Sequence, residues 1–585
     1  MRWVGPPRSP SQARRPPGRG HRPGRMTGGR APGARARLGG LLADAVLGLP
    51  LRAVPYAVER DVAVPMPDGV ALLGDHYRPT GADGPLPVVL VRLPYGRAGA
   101  LAHAFAVPYA RRGFQVFVQS TRGTFGSGGH FRPFTTEHED GLATLAWVRK
   151  QPWCDGRVAM TGGSYFGHTQ WAVAPYADPP LVAVSPHITG ARITTAFYVH
   201  GAPGLENALR WSVAIGRQEA GGVPAPLLRP LLRRRVERAL RMLPLQAADT
   251  AAVGAPVAFW RDFTAHAGPG DPFWDVADHD RADLTRMPPV NMVTGWWDLF
   301  AAAQLADAVR LQAAGVPLRL TVGPWLHGEP GELRAVLHTD LAWLDHHLRG
   351  GPAPAGAPVR LYLQQAGIWL ESPTWPPPGT ATVHRYLRPG GGLSGQPQDA
   401  DAAPTRFTHD PADPTPTVGG PLLERPAGQA DNRAVEARED VVIFTGPALP
   451  RDVDVVGHVR ARVHVRPELP YADLFVRLCD VGPDGVSRNV VDGIRRLDPR
   501  SVPADDVTVG DDGVLAVDVE LFPTAYRFRA GHRLRVQVAG GAFPRFARNL
   551  GTGEPFGTAA TGRPCRVEVF HDAAHPSRLE LPVLS

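Results

Sequence analysis

Residues 158–174 read VAMTGGSYFGHTQWAVA, and this stretch decides the fold. An apolar, strand-like run at 158–161 enters a Gly-Gly-Ser-Tyr-Phe-Gly corner. It leaves as a helix-compatible segment starting near Tyr165. A serine between glycines at a sharp strand-to-helix turn is a nucleophile elbow, a geometry that lifts the hydroxyl above a sheet where a histidine reaches it. The small residues have separate tasks. Gly162 lets the strand turn, and Gly167 lets the helix lie close on the sheet. Gly-Gly-Ser is also ordinary loop chemistry, so the assignment of Ser164 rests on what stands elsewhere in the chain.

Outward from the corner, strands and helices alternate. Alternating residues at 58–64 and 70–76, around a Pro67-Asp68-Gly69 turn, form an opening hairpin. Short apolar strands at 86–93 and 114–119 are followed by helical patterns at 102–112 and 140–150. The second pattern carries Leu142, Leu145, Ala146 and Val148 on one face. A further strand at 181–185 follows the corner, and this rhythm predicts a mostly parallel sheet covered by helices. The rhythm stops over 193–285, where Trp211, Val236, Leu240 and Phe259 lie in helix-like surroundings, read as a cap. It resumes with strands at 290–294 and 318–322 and helices at 300–314 and 337–348. A Pro/Gly/Ala-rich linker covers 350–358. Beyond it, strands at 459–465, 475–481, 514–521, 534–538 and 567–570 predict an all-β sandwich or jelly roll. Residues 389–438, rich in Pro, Gly and Asp, are expected to be a long surface excursion.

Bulk composition excludes several classes. With 585 residues the chain is too long for one core, and 43% hydrophobic and 20% charged residues are values of a globular protein. The net charge of +8 resembles a nucleic-acid signal, yet residues 1–37 hold ten arginines and no acid. The rest balances at 53 basic against 55 acidic residues, so no polyanion partner is expected. The segment 1–50 is an Arg/Pro/Gly-rich leader that buries too little surface to fold, with a surface helix expected near 38–51. No stretch has membrane-spanning length. Cys154, Cys479 and Cys565 are odd in number and far apart, which fits neither a disulfide framework nor a metal spacing. They are expected as buried thiols in a reducing, cytoplasmic compartment.

A nucleophilic serine needs a base, and the base needs an orienting carboxylate. The strand at 290–294 runs into Gly295-Trp296-Trp297-Asp298, and the strand at 318–322 into Gly323-Pro324-Trp325-Leu326-His327. Ser164, Asp298 and His327 thus follow in chain order at three strand ends, where open parallel sheets place their sites. His338, His346 and His347 sit on a predicted helix and are expected to face solvent. One oxyanion donor is the Tyr165 amide, next after the serine. Tyr95, in the loop Leu93-Pro94-Tyr95-Gly96-Arg97 after an early strand, is a candidate for the second, through its hydroxyl.

These residues fall into a wider set. Pro94 and Tyr95, then Thr121, Arg122, Gly123, Ser127 and Gly129, then Trp153-Cys154-Asp155-Gly156 precede the elbow. Leu521-Phe522-Pro523-Thr524-Ala525, Ala530-Gly531-His532-Arg533-Leu534 and Phe543-Pro544-Arg545 recur in the sandwich. Over roughly 58–585 the chain resembles the serine-hydrolase family of cocaine esterase, α-amino-acid ester hydrolase and X-Pro dipeptidyl-peptidase (CocE/NonD). The resemblance implies an α/β fold: an α/β-hydrolase domain over 51–192 and 286–350 with a helical cap at 193–285, plus a C-terminal all-β jelly-roll sandwich at 351–585. It implies Ser164 as nucleophile, His327 as base, Asp298 as its partner, and Tyr95 and Tyr165 as the oxyanion hole. One departure is Ser120, where relatives often carry Asp, and a structural hydrogen bond is expected to be lost there.

The chemistry implied is two-step acyl transfer on an ester or small amide, with no cofactor and no metal. Trp296, Trp297, Phe300 and Phe197 are the candidates for an apolar acyl pocket. An X-Pro dipeptidyl-peptidase would need a carboxylate for a free amino terminus, for which Glu206, Glu219 and Asp262 are available in the cap. A third reading is a non-catalytic binding protein with a hydrolase-like core. The partner expected is a small ester, amide or short peptide, with no nucleic acid and no membrane. A homodimer is left open.

Overall fold

The structure, a computed structural model, describes residues 44, 48–49, 54–81, 84–219, 225–266, 268, 270–424, 426–501 and 504–585. The expected leader lies, but for three positions, outside the described residues, as does most of the helix expected near 38–51. Among the described residues, no helix is long and apolar enough to cross a membrane.

The opening hairpin pairs β1 (Tyr56–Pro65) with β2 (Ala71–Pro79). Next come β3 (Leu86–Leu93), β4 (Gln115–Ser120), β5 (Cys154–Gly163) and β6 (Ala183–His187). β7 (Tyr198–Val199) and β8 (Ala202–Pro203) form a minute hairpin at the start of the cap. Then follow β9 (Val290–Trp297), β10 (Leu318–Leu326), β11 (Val359–Leu363) and β12 (Ile368–Ser372). One ten-stranded sheet has the order β1-β2-β4-β3-β5-β6-β9-β10-β11-β12. From β4 to β11 all neighbours are parallel.

The apolar runs of these strands are continuous because both faces are covered. Val88 and Leu90 of β3 pack into one core with Trp171 and Met292, while Val89 and Val91 pack into another with Phe105 and Leu344. That is the period of two of a strand buried on both sides. The sheet runs past the boundary expected at 350: β11 pairs with β10 in parallel, and β12 closes the edge. The linker bends the chain back onto the same sheet before the sandwich begins.

The cap contains helices Leu205–Arg217, Ala225–Leu240, Ala248–Val253 and Ala258–Ala265, around an aromatic core that includes Phe197, Phe259, Trp260 and Phe263. The C-terminal sheet is all-β, and its long strand Val453–Pro467 pairs with Leu515–Phe528, Cys565–Phe570 and Arg578–Leu584. Residues 389–438 depart from the surface excursion expected. Thr405–His409 forms a strand on Cys565–Phe570, and Leu422 is buried. Buried side chains satisfy the irregular backbone here: Arg477 donates to the Val418 carbonyl at 2.7 Å, and the Ala430 amide donates to Asn489 at 2.7 Å. The three cysteines are free and buried.

Candidate active site

The elbow is built by β5 and the helix Tyr165–Trp171. Ser164 stands between them at φ 57, a left-handed conformation that a residue with a side chain seldom adopts. Its amide donates to the His187 carbonyl of β6 at 2.9 Å, and its carbonyl accepts from the Gly167 and His168 amides. Gly162, at φ 142, leaves room for the Phe166 ring, which would lie 2.0 Å from a β-carbon. At Gly167 a β-carbon would meet Thr189 at 2.6 Å, so the helix packs as close as the sequence pattern requires. Tyr165 is the first helical residue, and its amide therefore has no acceptor within the helix.

Asp298 and His327 leave the adjacent strands β9 and β10. The two strand ends touch at Gly295, where a β-carbon would stand 2.1 Å from the Trp325 carbonyl oxygen. That contact lets Asp298 Oδ2 lie 2.7 Å from His327 Nδ1. Asp298 is fully buried, and its Oδ1 accepts from the Phe300 amide at 2.7 Å. A carboxylate only accepts, so the imidazole proton sits on Nδ1, and Nε2 is left with a lone pair. Burial acts to lower the His327 pKa, and the Asp298 charge, its hydrogen bond and the Glu332 charge together more than offset it, so the pKa lies above its ordinary 6.5. Glu332 also lies close. It accepts from the Gly328 amide at 2.8 Å, and burial, followed by the Asp298 charge, pushes its carboxyl up to about 8.

Ser164, Tyr95 and Tyr165 border one small cavity of about 30 Å³. Phe134, Ile193, Phe197, Trp211, Leu299 and Phe300 make its apolar wall, and Asn207 and Leu423 complete it. Phe300 also lies beside His327, with ring centroids 5.8 Å apart. Trp211 of the cap donates through Nε1 to the Tyr95 hydroxyl at 3.1 Å, so the Tyr95 proton remains available to another acceptor. Burial pushes the Tyr95 pKa up to about 12, against the opposing effect of that bond, and keeps the phenol neutral. The Tyr165 hydroxyl donates to Glu137 at 2.7 Å and accepts from the Phe134 amide at 3.0 Å.

Of the expected acyl-pocket residues, Phe197 and Phe300 line the cavity, and Trp296 and Trp297 do not. Both tryptophans belong to the core beneath the sheet. Trp296 donates to the Tyr362 carbonyl of β11 at 2.7 Å and lies 5.9 Å from the Trp375 ring. β11 at the flank of β10 provides that burial, and it was not foreseen. Phe134, Ile193, Asn207, Trp211, Leu299 and Leu423 were missed. Asn207 and Trp211 carry a readable signal, since four residues apart they share one helix face.

The three acids considered for an amino terminus are engaged. Glu206 pairs with Arg210 at 2.8 Å, Asp262 with Arg132 at 3.1 Å, and Glu219 accepts from the Phe125 amide at 3.0 Å. Ser120 keeps a hydrogen bond where a loss was expected. Its hydroxyl accepts from the Arg97 amide at 3.2 Å, while Asp75 supplies the carboxylate for the Arg97 guanidinium. Of the helix histidines, His338 is exposed, whereas His346 bonds to the Gly351 carbonyl and His347 packs on Trp343.

Sheet order, elbow and strand-end histidine–aspartate pair define the class: an α/β-hydrolase carrying a helical cap and a β-sandwich. Residues 68–329 match the X-Pro dipeptidyl-peptidase (S15 family) model, and residues 355–580 match the X-Pro dipeptidyl-peptidase C-terminal non-catalytic domain. Cocaine esterase of Rhodococcus sp. (strain MB1 Bresler) is 32% identical, over 90% of this chain and 99% of the relative. Two solved structures share the fold at 23% identity. An α-amino acid ester hydrolase has a TM-score of 0.74, covering 90% of this chain and 96% of its own. An aminopeptidase from a marine sediment Thaumarchaeota archaeon has a TM-score of 0.75, covering 91% and 97%. The chain belongs to the CocE/NonD family of hydrolases, which act as esterases or peptidases.

Proposed function

We propose that this protein hydrolyses esters, and small amides, of apolar acyl groups through an acyl-enzyme on Ser164. The observation that carries this reading is the 2.7 Å His327–Asp298 bond at the strand ends beside the cavity that holds Ser164. His327 Nε2 takes the Ser164 proton as the hydroxyl attacks the carbonyl, and Asp298 holds the tautomer and stabilises the imidazolium. The Tyr95 hydroxyl and the Tyr165 amide hold the oxyanion. His327 returns the proton to the leaving alcohol or amine, and water then releases the acid. The likeness to a cocaine esterase supports ester substrates. The engagement of Glu206, Glu219 and Asp262 counts against a dipeptidyl-peptidase, and a complete set of site residues counts against a non-catalytic binding protein.

Ser164→Ala is expected to lower p-nitrophenyl acetate turnover by on the order of 10⁴-fold or more, and to abolish labelling by a fluorophosphonate probe. Full turnover by the folded variant overturns the mechanism. A side-by-side assay with p-nitrophenyl acyl esters, phenylglycine methyl ester and Ala-Pro-p-nitroanilide is expected to favour the esters. Dominant anilide cleavage would establish the peptidase reading instead.

A further inference from the structure

A second cavity backs onto the serine pocket. Its volume is about 520 Å³, against about 30 Å³ around Ser164, and it opens where cap, sandwich and the helix Ala301–Ala313 meet. The two share a wall whose residues face alternate sides. In the cap segment, Ile193 and Phe197 face Ser164, while Thr195, Tyr198 and Val199 face the large cavity. After β9, Phe300 faces Ser164, and Ala302, Ala303 and Ala306 face the other side. Leu299, directly after Asp298, borders both.

The lining indicates the ligand chemistry. Leu299, the three alanines, Leu521 and Phe522 make an apolar floor. The rim charges are matched within the fold: Arg192 with Asp278 at 3.5 Å, Arg495 with Asp506 and Arg496 with Asp473, each at 2.8 Å, Asp498 with Arg500, and His458 with Glu520 at 3.3 Å. Burial lowers the His200 pKa. The floor, and not the rim, therefore selects what binds. The large cavity lies within the size range of small-molecule sites, roughly 300–1,000 Å³. The serine pocket, at about 30 Å³, is far smaller, so the large cavity offers most of the room for an extended acyl group.

We propose that the large cavity is the distal half of the acyl site, that it takes the apolar tail of a medium-chain aliphatic ester, and that Leu299 is the specificity-determining residue dividing it from the half at Ser164. This rests on the reading of Ser164 as nucleophile. The test is the ratio of kcat/KM for p-nitrophenyl octanoate to that for the acetate. Leu299→Ala is expected to raise the ratio about tenfold and Leu299→Phe to lower it. Adding Ala306→Trp, which fills the large cavity, is expected to bring the Leu299→Ala ratio back toward the wild-type value. An unchanged ratio in Leu299→Ala, or a double variant that keeps the raised ratio, overturns the proposal.

A second measurement needs no turnover. Decanoate titrated calorimetrically into Ser164→Ala is expected to bind, and about tenfold more weakly when Ala306→Trp is added. Equal affinity overturns the cavity assignment. Decanoate binding beside a wild-type protein inert to acetate would overturn the hydrolase reading and leave the apolar-tail site standing.

Discussion

His327 and Glu332 give the site two titrations, and both lower stability as pH rises. On the proposed acyl-enzyme mechanism His327 must be neutral to take the serine proton, so kcat/KM is expected to fall as pH drops through a His327 pKa that lies above 6.5. Its contribution to stability is fully present below the unfolded value and is lost as pH rises through the folded one. Glu332 is a carboxyl raised from 4.5 to about 8. Between those values the folded chain holds a proton that the unfolded chain releases, and stability therefore falls as pH rises through that window. Glu332→Gln is expected to flatten this dependence by roughly 1–4 kcal/mol between pH 5 and pH 8. Urea unfolding of both proteins at the two pH values measures it. An equal slope in the variant would mean that Glu332 is ionised in the fold throughout.

The elbow helix has seven residues, and its first side chain ties it to the loop that walls the pocket. The Tyr165 hydroxyl joins Glu137, itself 3.2 Å from Arg92, to the amide of Phe134. Tyr165→Phe leaves a buried acceptor and a buried donor without their partner, and is expected to cost about 1–3 kcal/mol in denaturant unfolding. Wild-type stability in the variant would contradict that accounting. Legibility in the sequence divides at this scale. Ser164, Asp298 and His327 could be read because each follows an apolar run whose end is a local signal, and the two β-α-β stretches could be read from their rhythm. Trp296 could not be placed, because its indole reaches the Tyr362 carbonyl only when β11 flanks β10, and the linker at 350–358 hides that the sheet continues beyond it. Leu423 was hidden by its Pro- and Gly-rich surroundings, and the order β1-β2-β4-β3 has no local signature.

Across the whole molecule, the division near residue 350 cuts through one packing unit. The core that holds Met160 and Trp171 also holds Leu361, Trp375, Val456 and Ala525. A chain ending at residue 350 loses β11 and β12 and uncovers that core. It is expected to be insoluble or to lack a cooperative thermal transition, whereas the full chain unfolds with its catalytic sheet and sandwich coupled. Calorimetry of both chains decides this, and an independently folding 54–350 fragment would refute the coupling. Leu423 carries a related consequence in time. The Asn207 side chain accepts from its amide at 3.0 Å, so the wall of the serine pocket closes only after the ribosome has passed that residue and the sandwich has docked. Ser164 is made early, but on the proposed mechanism the nascent chain has no finished pocket in which to use it, and hydrolytic competence is expected to arrive with the last third of the protein.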